Sequence, residues 1–219
     1  MSIRRRQFIQ SAAVAGTLAA TPAVHARKNK AKRYRTALIG SGWWGMNILK
    51  EALAAENIKV VALCDVDRDK LELAAEEVED LTGDTPNTYG DFRELLENED
   101  VEIAIVATPD HWHALNTIAA IEAGAHIFVE KPTGHTIKES REMLEVARAN
   151  DRVVQVGMHR RIGPHYVSGM KFLRDGGAGD IGMVKAFVHN RGGAELPTAN
   201  SPPPEQLDWK MYCGPAPMR

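Results

Sequence analysis

The chain has 219 residues, enough for one large or two small domains, and its 44% hydrophobic and 26% charged residues are ordinary globular usage. That composition excludes wholesale disorder and fibrous repeats. Twenty-seven basic against 29 acidic residues leave a net charge of −2, no footprint for a nucleic-acid backbone, and two cysteines, Cys64 and Cys213, neither frame a disulfide fold nor carry metal-ligand spacing.

The chain opens with Arg4-Arg5-Arg6-Gln7-Phe8-Ile9-Gln10, a mildly apolar run from Ser11 to Ala20, and the small-residue site Val24-His25-Ala26. The run is short of the ~18–20 apolar residues that cross a bilayer, so residues 1–26 predict a twin-arginine signal peptide and not a stable membrane span. Cleavage after Ala26 removes three arginines and no acid, taking the charge from −2 to −5. The route carries folded proteins, which suits a periplasmic protein that takes up its cofactor in the cytoplasm. Residues 27–33 are a basic, solvated linker.

From Tyr34 onward, short apolar runs alternate with helical-period segments, the signature of βαβ units and a parallel sheet. The predicted strands are Thr36–Ile39, Val60–Cys64, Ile103–Ala107, His126–Val129 and Val153–Val156, apolar on successive residues as in strands covered on both faces. Leu71, Ala74, Ala75, Val78 and Leu81 recur at helical spacing, as do Leu115, Ile118 and Ile121 ahead of Gly124. Thr136 with Glu139 makes a capping box for a helix through Ala147. A further helix is expected near Pro164–Arg174, then an alternating strand, Met183–His189, of a second sheet. Residues 192–219 hold nine Gly or Pro and no further expected element.

The chemistry collects at the ends of the predicted strands. Gly40-Ser41-Gly42-Trp43-Trp44-Gly45 follows the first strand and opens a helix, the context a dinucleotide fingerprint requires. Gly40 allows the tight turn, Gly42 lets backbone approach a pyrophosphate, and Gly45 allows close helix–strand packing. Asp65, 20 residues past Gly45, can accept both ribose hydroxyls and so favours NAD over its phosphorylated form, unless Asp65 or Asp67 only caps the next helix. Ala107-Thr108-Pro109-Asp110-His111-Trp112-His113 follows the third long strand, at the edge where α/β sheets bind ligands, and Thr108, Pro109 and His113 are expected at the cofactor. His111 and His113 lack a third ligand, so no metal is expected, and capping by Asp110 is an open alternative. Trp43 and Trp44 are candidate cofactor contacts; with Trp209 they are packing or sugar-stacking residues, packing being favoured.

Glu130-Lys131-Pro132-Thr133-Gly134 completes a set. With the export signal, the Gly40–Gly45 fingerprint and Thr108-Pro109-Asp110-His111, the sequence over about residues 34–219 resembles the glucose–fructose oxidoreductase, inositol dehydrogenase and rhizopine catabolism (Gfo/Idh/MocA) family. The resemblance implies an α/β chain: a Rossmann doubly wound parallel sheet over 34–158 that binds NAD, then the start of an α+β open mixed-sheet substrate domain over 159–219. It places Lys131 beside nicotinamide and substrate as the catalytic residue, with Glu130 at the cofactor. Oxidising a hydroxyl removes its proton as hydride leaves carbon, and a nearby amine can hydrogen-bond that hydroxyl and take the proton. Arg161 is implied near the nicotinamide, while His159 and His189 are candidate contacts to a polyol; Arg160 and Arg191 read equally well as solvated charge. The family's remaining sheet, and a second catalytic group, are expected beyond Arg219, so the substrate domain is incomplete and the fragment is expected to be inactive alone.

The leading reading is therefore an exported NAD-dependent oxidoreductase acting on a hydroxyl of a carbohydrate or polyol, a homo-oligomer when full length. The family also includes redox-neutral glycosidases that oxidise, eliminate, hydrate and reduce with one NAD. Outside the cytoplasm either reading calls for a tightly held cofactor recycled in place. A non-catalytic dinucleotide or sugar sensor is the third reading.

Overall fold

The computed structural model describes residues 32–187 and 199–216. The expected export signal and residues 27–31 of the expected linker lie outside those residues, as do His189 and Arg191. The chain divides into two units, Met1–Lys32 and Arg33–Arg219, and the second holds every described element.

Six parallel strands form one sheet in the order β3-β2-β1-β4-β5-β6: β1 Tyr34–Ile39, β2 Ile58–Cys64, β3 Asn87–Tyr89, β4 Ile103–Val106, β5 His126–Glu130 and β6 Val154–Gly157. The five predicted strands are present within a residue or two. β3 was not predicted, because three residues, none buried, carry no periodic signal.

Continuous apolar runs make sense once side chains are sorted by face. In β1, Leu38 belongs to one core while Ala37 and Ile39 belong to the other; in β4, Ile105 faces the first and Ala104 and Val106 the second. Period-two alternation with both faces covered requires apolar residues at every position. The helices α1 Trp43–Leu53 and α2 Arg68–Thr82 close the first face through Met46, Leu49, Leu71 and Val78. The second is closed by α3 Phe92–Asn98, α4 His113–Glu122 and α5 Ile137–Ala149, through Leu95, Ile121 and Met143. Each fully buried leucine is worth roughly 1.5–3 kcal/mol of removal from water. The predicted capping box is formed: Thr136 Oγ1 accepts from Glu139 N at 3.2 Å and Glu139 Oε2 from Thr136 N at 2.8 Å.

Beyond β6 the structure departs from the sequence reading in two places. A one-turn helix α6, His159–Ile162, and α7, Pro164–Arg174, form, but residues 183–187 of the expected second-sheet strand are neither paired nor buried. A strand is held by its ladder, and among the described residues nothing lies beside this one. Conversely, the stretch expected to hold no element contains α8, Trp209–Cys213, and packs onto the sheet. Asp208 caps it, accepting from Met211 N at 2.9 Å. Among the described residues no helix is long and apolar enough to cross a membrane.

Candidate functional site

The strand order reverses direction between β1 and β4, so the connections from these strands leave on opposite faces and open a crevice at their carboxyl ends. The Gly40–Gly45 turn lies there. Gly40 has φ +94°, and a Cβ on it would lie 2.7 Å from the Ala107 carbonyl; a Cβ on Gly45 would lie 1.9 Å from the Gly40 carbonyl oxygen. These two glycines are dictated by the fold. Gly42 is not: its φ of −64° suits any residue, and a Cβ there would meet nothing within 4 Å. The open space above Gly42, with α1 starting at Trp43 and no side chain capping it, is the cradle an incoming pyrophosphate would fill.

Asp65, at the end of β2, lies across that turn. Its Oδ2 accepts from Ser41 N at 2.8 Å and Ser41 Oγ at 3.3 Å, its Oδ1 from Asp67 N at 3.0 Å, and Oδ1 keeps acceptor capacity for a ribose hydroxyl. The helix-cap alternative falls to Asp67, whose Oδ1 accepts from Lys70 N at 3.3 Å. Between Asp65 and Pro109 opens a cavity of about 210 Å³, lined by Gly40, Gly42, Thr108, Trp112, Asn116 and Tyr212 among others. Asn116 is buried, its Nδ2 donates to Thr108 Oγ1 at 3.1 Å, and its Oδ1 has no partner. Cys64 also lines this cavity, and burial pushes its thiol far up, so it is an uncharged wall and not a nucleophile.

A second cavity, about 480 Å³, is lined by Trp44, Lys131, Gly157, Met158, His159, Arg160 and Arg161. It brings together Lys131, Trp44, Arg161 and His159, and the Trp44 and His159 rings are 5.5 Å apart. Lys131 is exposed at its rim. The packing reading does not hold for Trp43, which is 79% exposed, nor for the half-open Trp44; Trp209 stacks on Tyr212.

Two expected cofactor contacts lie beneath the site instead of in it. His113 is 1% exposed; its Nε2 is 2.7 Å from the Thr108 carbonyl oxygen and its Nδ1 2.5 Å from that of Pro132, so both ring nitrogens are committed to backbone. Glu130 is buried against Gly157 and accepts from Lys131 N at 3.2 Å. Both hold the loops that carry Thr108 and Lys131. The sequence reading did not single out Asn116, Met211 or Tyr212. Asn116 lay hidden in a helical apolar pattern, while Leu207-Asp208-Trp209, a capping signal in a Pro-rich stretch, could have located the last two.

Comparison with known proteins agrees with this geometry. Residues 34–158 match the model of an oxidoreductase family with an NAD-binding Rossmann fold, GFO_IDH_MocA. A "Glycosyl hydrolase family 109 protein" of Stenotrophomonas maltophilia is 32% identical over 150 residues, covering 66% of this chain and 33% of the relative. An "Alpha-N-acetylgalactosaminidase" of Shewanella oneidensis is 25% identical over 213 residues, covering 86% of this chain and 46% of the relative. The chain thus spans between a third and a half of these two relatives. Among solved structures, myo-inositol 2-dehydrogenase from Lactobacillus plantarum superimposes with a TM-score of 0.61 at 28% identity, over 68% of this chain and 43% of that one.

Proposed function

The chain belongs to the Gfo/Idh/MocA oxidoreductase family, whose Rossmann domain binds NAD, and from that premise we propose that the complete protein oxidises a hydroxyl of a sugar, polyol or glycoside. The observation that carries the proposal is Lys131 on the rim of a cavity with Trp44, His159 and Arg161, Trp44 being part of the Gly40–Gly45 turn. When bound, the nicotinamide supplies the hydride acceptor. The chain's own part is to position and to move a proton. Lys131 hydrogen-bonds the substrate hydroxyl and takes its proton, the Trp44 ring offers an apolar face to a sugar ring, and the Arg161 and His159 side chains hydrogen-bond the remaining hydroxyls. Gly42 and the start of α1 hold the pyrophosphate, and Asp65 the adenosine ribose.

A redox-neutral glycosidase is the second reading, favoured by the two curated relatives, and it begins with the same oxidation. The test is a panel of polyols, free sugars and glycosides, following nicotinamide absorbance and released aglycone together. Net reduction of NAD by free sugar or polyol supports the first reading. Aglycone release with no net change in NAD supports the second, and neither signal on any member sinks both. We also propose export by the twin-arginine route, supported by Arg4-Arg5-Arg6 ahead of Phe8 and the weakly apolar run. Replacing Arg5 and Arg6 by Lys should trap the precursor in the cytoplasm; normal accumulation outside it would end that idea.

A further inference from the structure

We propose that the segment Glu205–Ala216, outside the stretch matched by the family model, is the outer wall of the adenine subsite and the latch that keeps the dinucleotide in place. The proposal rests on the NAD-binding reading and concerns residues that reading does not use.

The segment crosses the crevice and is pinned on both banks. On the β2 side, Leu207 forms an antiparallel bridge with Asp67, Arg68 N donates to the Gln206 carbonyl at 3.1 Å, and Asp208 N donates to the Val66 carbonyl at 2.9 Å. On the β4 side, Trp112 Nε1 donates to the Met211 carbonyl at 3.0 Å and His111 Nε2 to that of Tyr212 at 2.9 Å. Gly214 makes the second bank possible: with φ +53°, it lies against the Trp112 indole, where a Cβ would come within 2.4 Å of the ring. Cys213 is buried and Met211 packs against the core, so the contact is more than a surface brush.

Between those two banks lies the cavity of about 210 Å³ that runs from Asp65 to Pro109, and Met211 and Tyr212 line it. Its chemistry suits one part of a dinucleotide. It lies past the ribose-binding Asp65, and apolar and aromatic residues, Phe92, Trp112 and Met211, make up much of its wall. Asn116 adds a buried carbonyl oxygen without a partner. A flat, apolar ring with an exocyclic amine meets those requirements, and adenine is such a ring. An adenine seated there is held against the segment, and lifting the segment breaks backbone hydrogen bonds on at least one bank. The consequence is slow release, with the effect in the off-rate.

Three variants and two mononucleotides test this in the 219-residue chain. Trp112→Phe keeps a ring in the core and removes the Nε1 donor; Gly214→Val puts a side chain on the indole. Stopped-flow displacement of bound NADH by excess NAD should show release faster by about three- to tenfold in Trp112→Phe and by more in Gly214→Val, with melting profiles confirming that each is folded. In Tyr212→Ala, affinity for AMP should fall several-fold while affinity for nicotinamide mononucleotide holds. Wild-type release rates in folded variants, or equal loss of both mononucleotides, would overturn the latch and leave NAD binding intact. A wild-type chain that binds no NADH would overturn the latch and the cofactor reading together.

Discussion

The Nδ1 of His113 sits 2.5 Å from the carbonyl oxygen of Pro132, while its Nε2 reaches the Thr108 carbonyl oxygen at 2.7 Å. One buried ring thereby ties the loop after β4 to the loop after β5, and Lys131 belongs to the second loop. His113→Ala would take the ring away from both backbone carbonyls and leave a hole at the start of α4. It should cost about 2–4 kcal/mol in urea unfolding. In the complete enzyme kcat should fall further than KM rises, since the tie positions Lys131 and does not touch NAD. A variant as stable as wild type would show that the two contacts carry little.

The glycine turn offers a sharper separation of fold from function. Gly45→Ala drives a Cβ into the Gly40 carbonyl oxygen, so it should unfold the chain or leave it strongly destabilised. Gly42→Ala meets no protein atom, so its melting temperature should stay within a degree or two, with NAD affinity falling at least tenfold. Calorimetry for unfolding and titration for binding read the two effects independently. Unchanged NAD affinity in a folded Gly42→Ala chain would remove the pyrophosphate from that spot.

The same residues show why some of this molecule was legible in its sequence. Leu38, Ile39, Leu63 and Val106 announce strands because each fills one of two cores, and Thr136 with Glu139 announces a helix because a cap is local chemistry. His113 gave no warning of its tie to Pro132, since a histidine after a strand looks the same whether it faces a ligand or a carbonyl 19 residues away. The Asp208 cap could have marked a helix holding Met211 and Tyr212, but not where that helix docks. Their place in the cavity depends on Trp112, about 100 residues earlier, and on Gly214 being small enough to let the indole in. Residues 183–187 of the expected strand failed in the opposite sense: Met183, Val184 and Phe187 have the alternation but stay exposed, because a pattern forms a strand only beside a neighbour.

We propose that Asp65 sets the choice of nucleotide. Its carboxylate lies where the adenosine ribose would sit, already oriented by Ser41 N and Asp67 N, and a phosphate on that ribose would meet its charge. Asp65→Ser should weaken NAD binding by roughly 10–100-fold, the worth of charge-assisted hydrogen bonds, and should weaken NADP binding much less. Mass spectrometry of cofactor released from the purified protein checks the starting point; recovery of NADP from wild type would reverse it.

Lys131 carries the chemistry proposed for the complete enzyme, and its position predicts what its loss should do. The side chain belongs to the cavity of Trp44, His159 and Arg161, not to the one beside Asp65 and Gly42, so it has no part in holding the adenosine half. Lys131→Met keeps the length of the chain's apolar stem and deletes the amine. NAD should remain bound at close to wild-type affinity, whereas hydride transfer should fall by about 10²–10⁴-fold, the usual contribution of a positioned proton acceptor. Single-turnover mixing of NAD-loaded enzyme with substrate separates the two quantities, because it reads the chemical step without cofactor exchange. A glycosidase cycle would be stopped by the same substitution at its first oxidation, so aglycone release must fall in parallel. If the variant reduced NAD at the wild-type rate, another group would be taking the hydroxyl proton, and His159 shares that cavity.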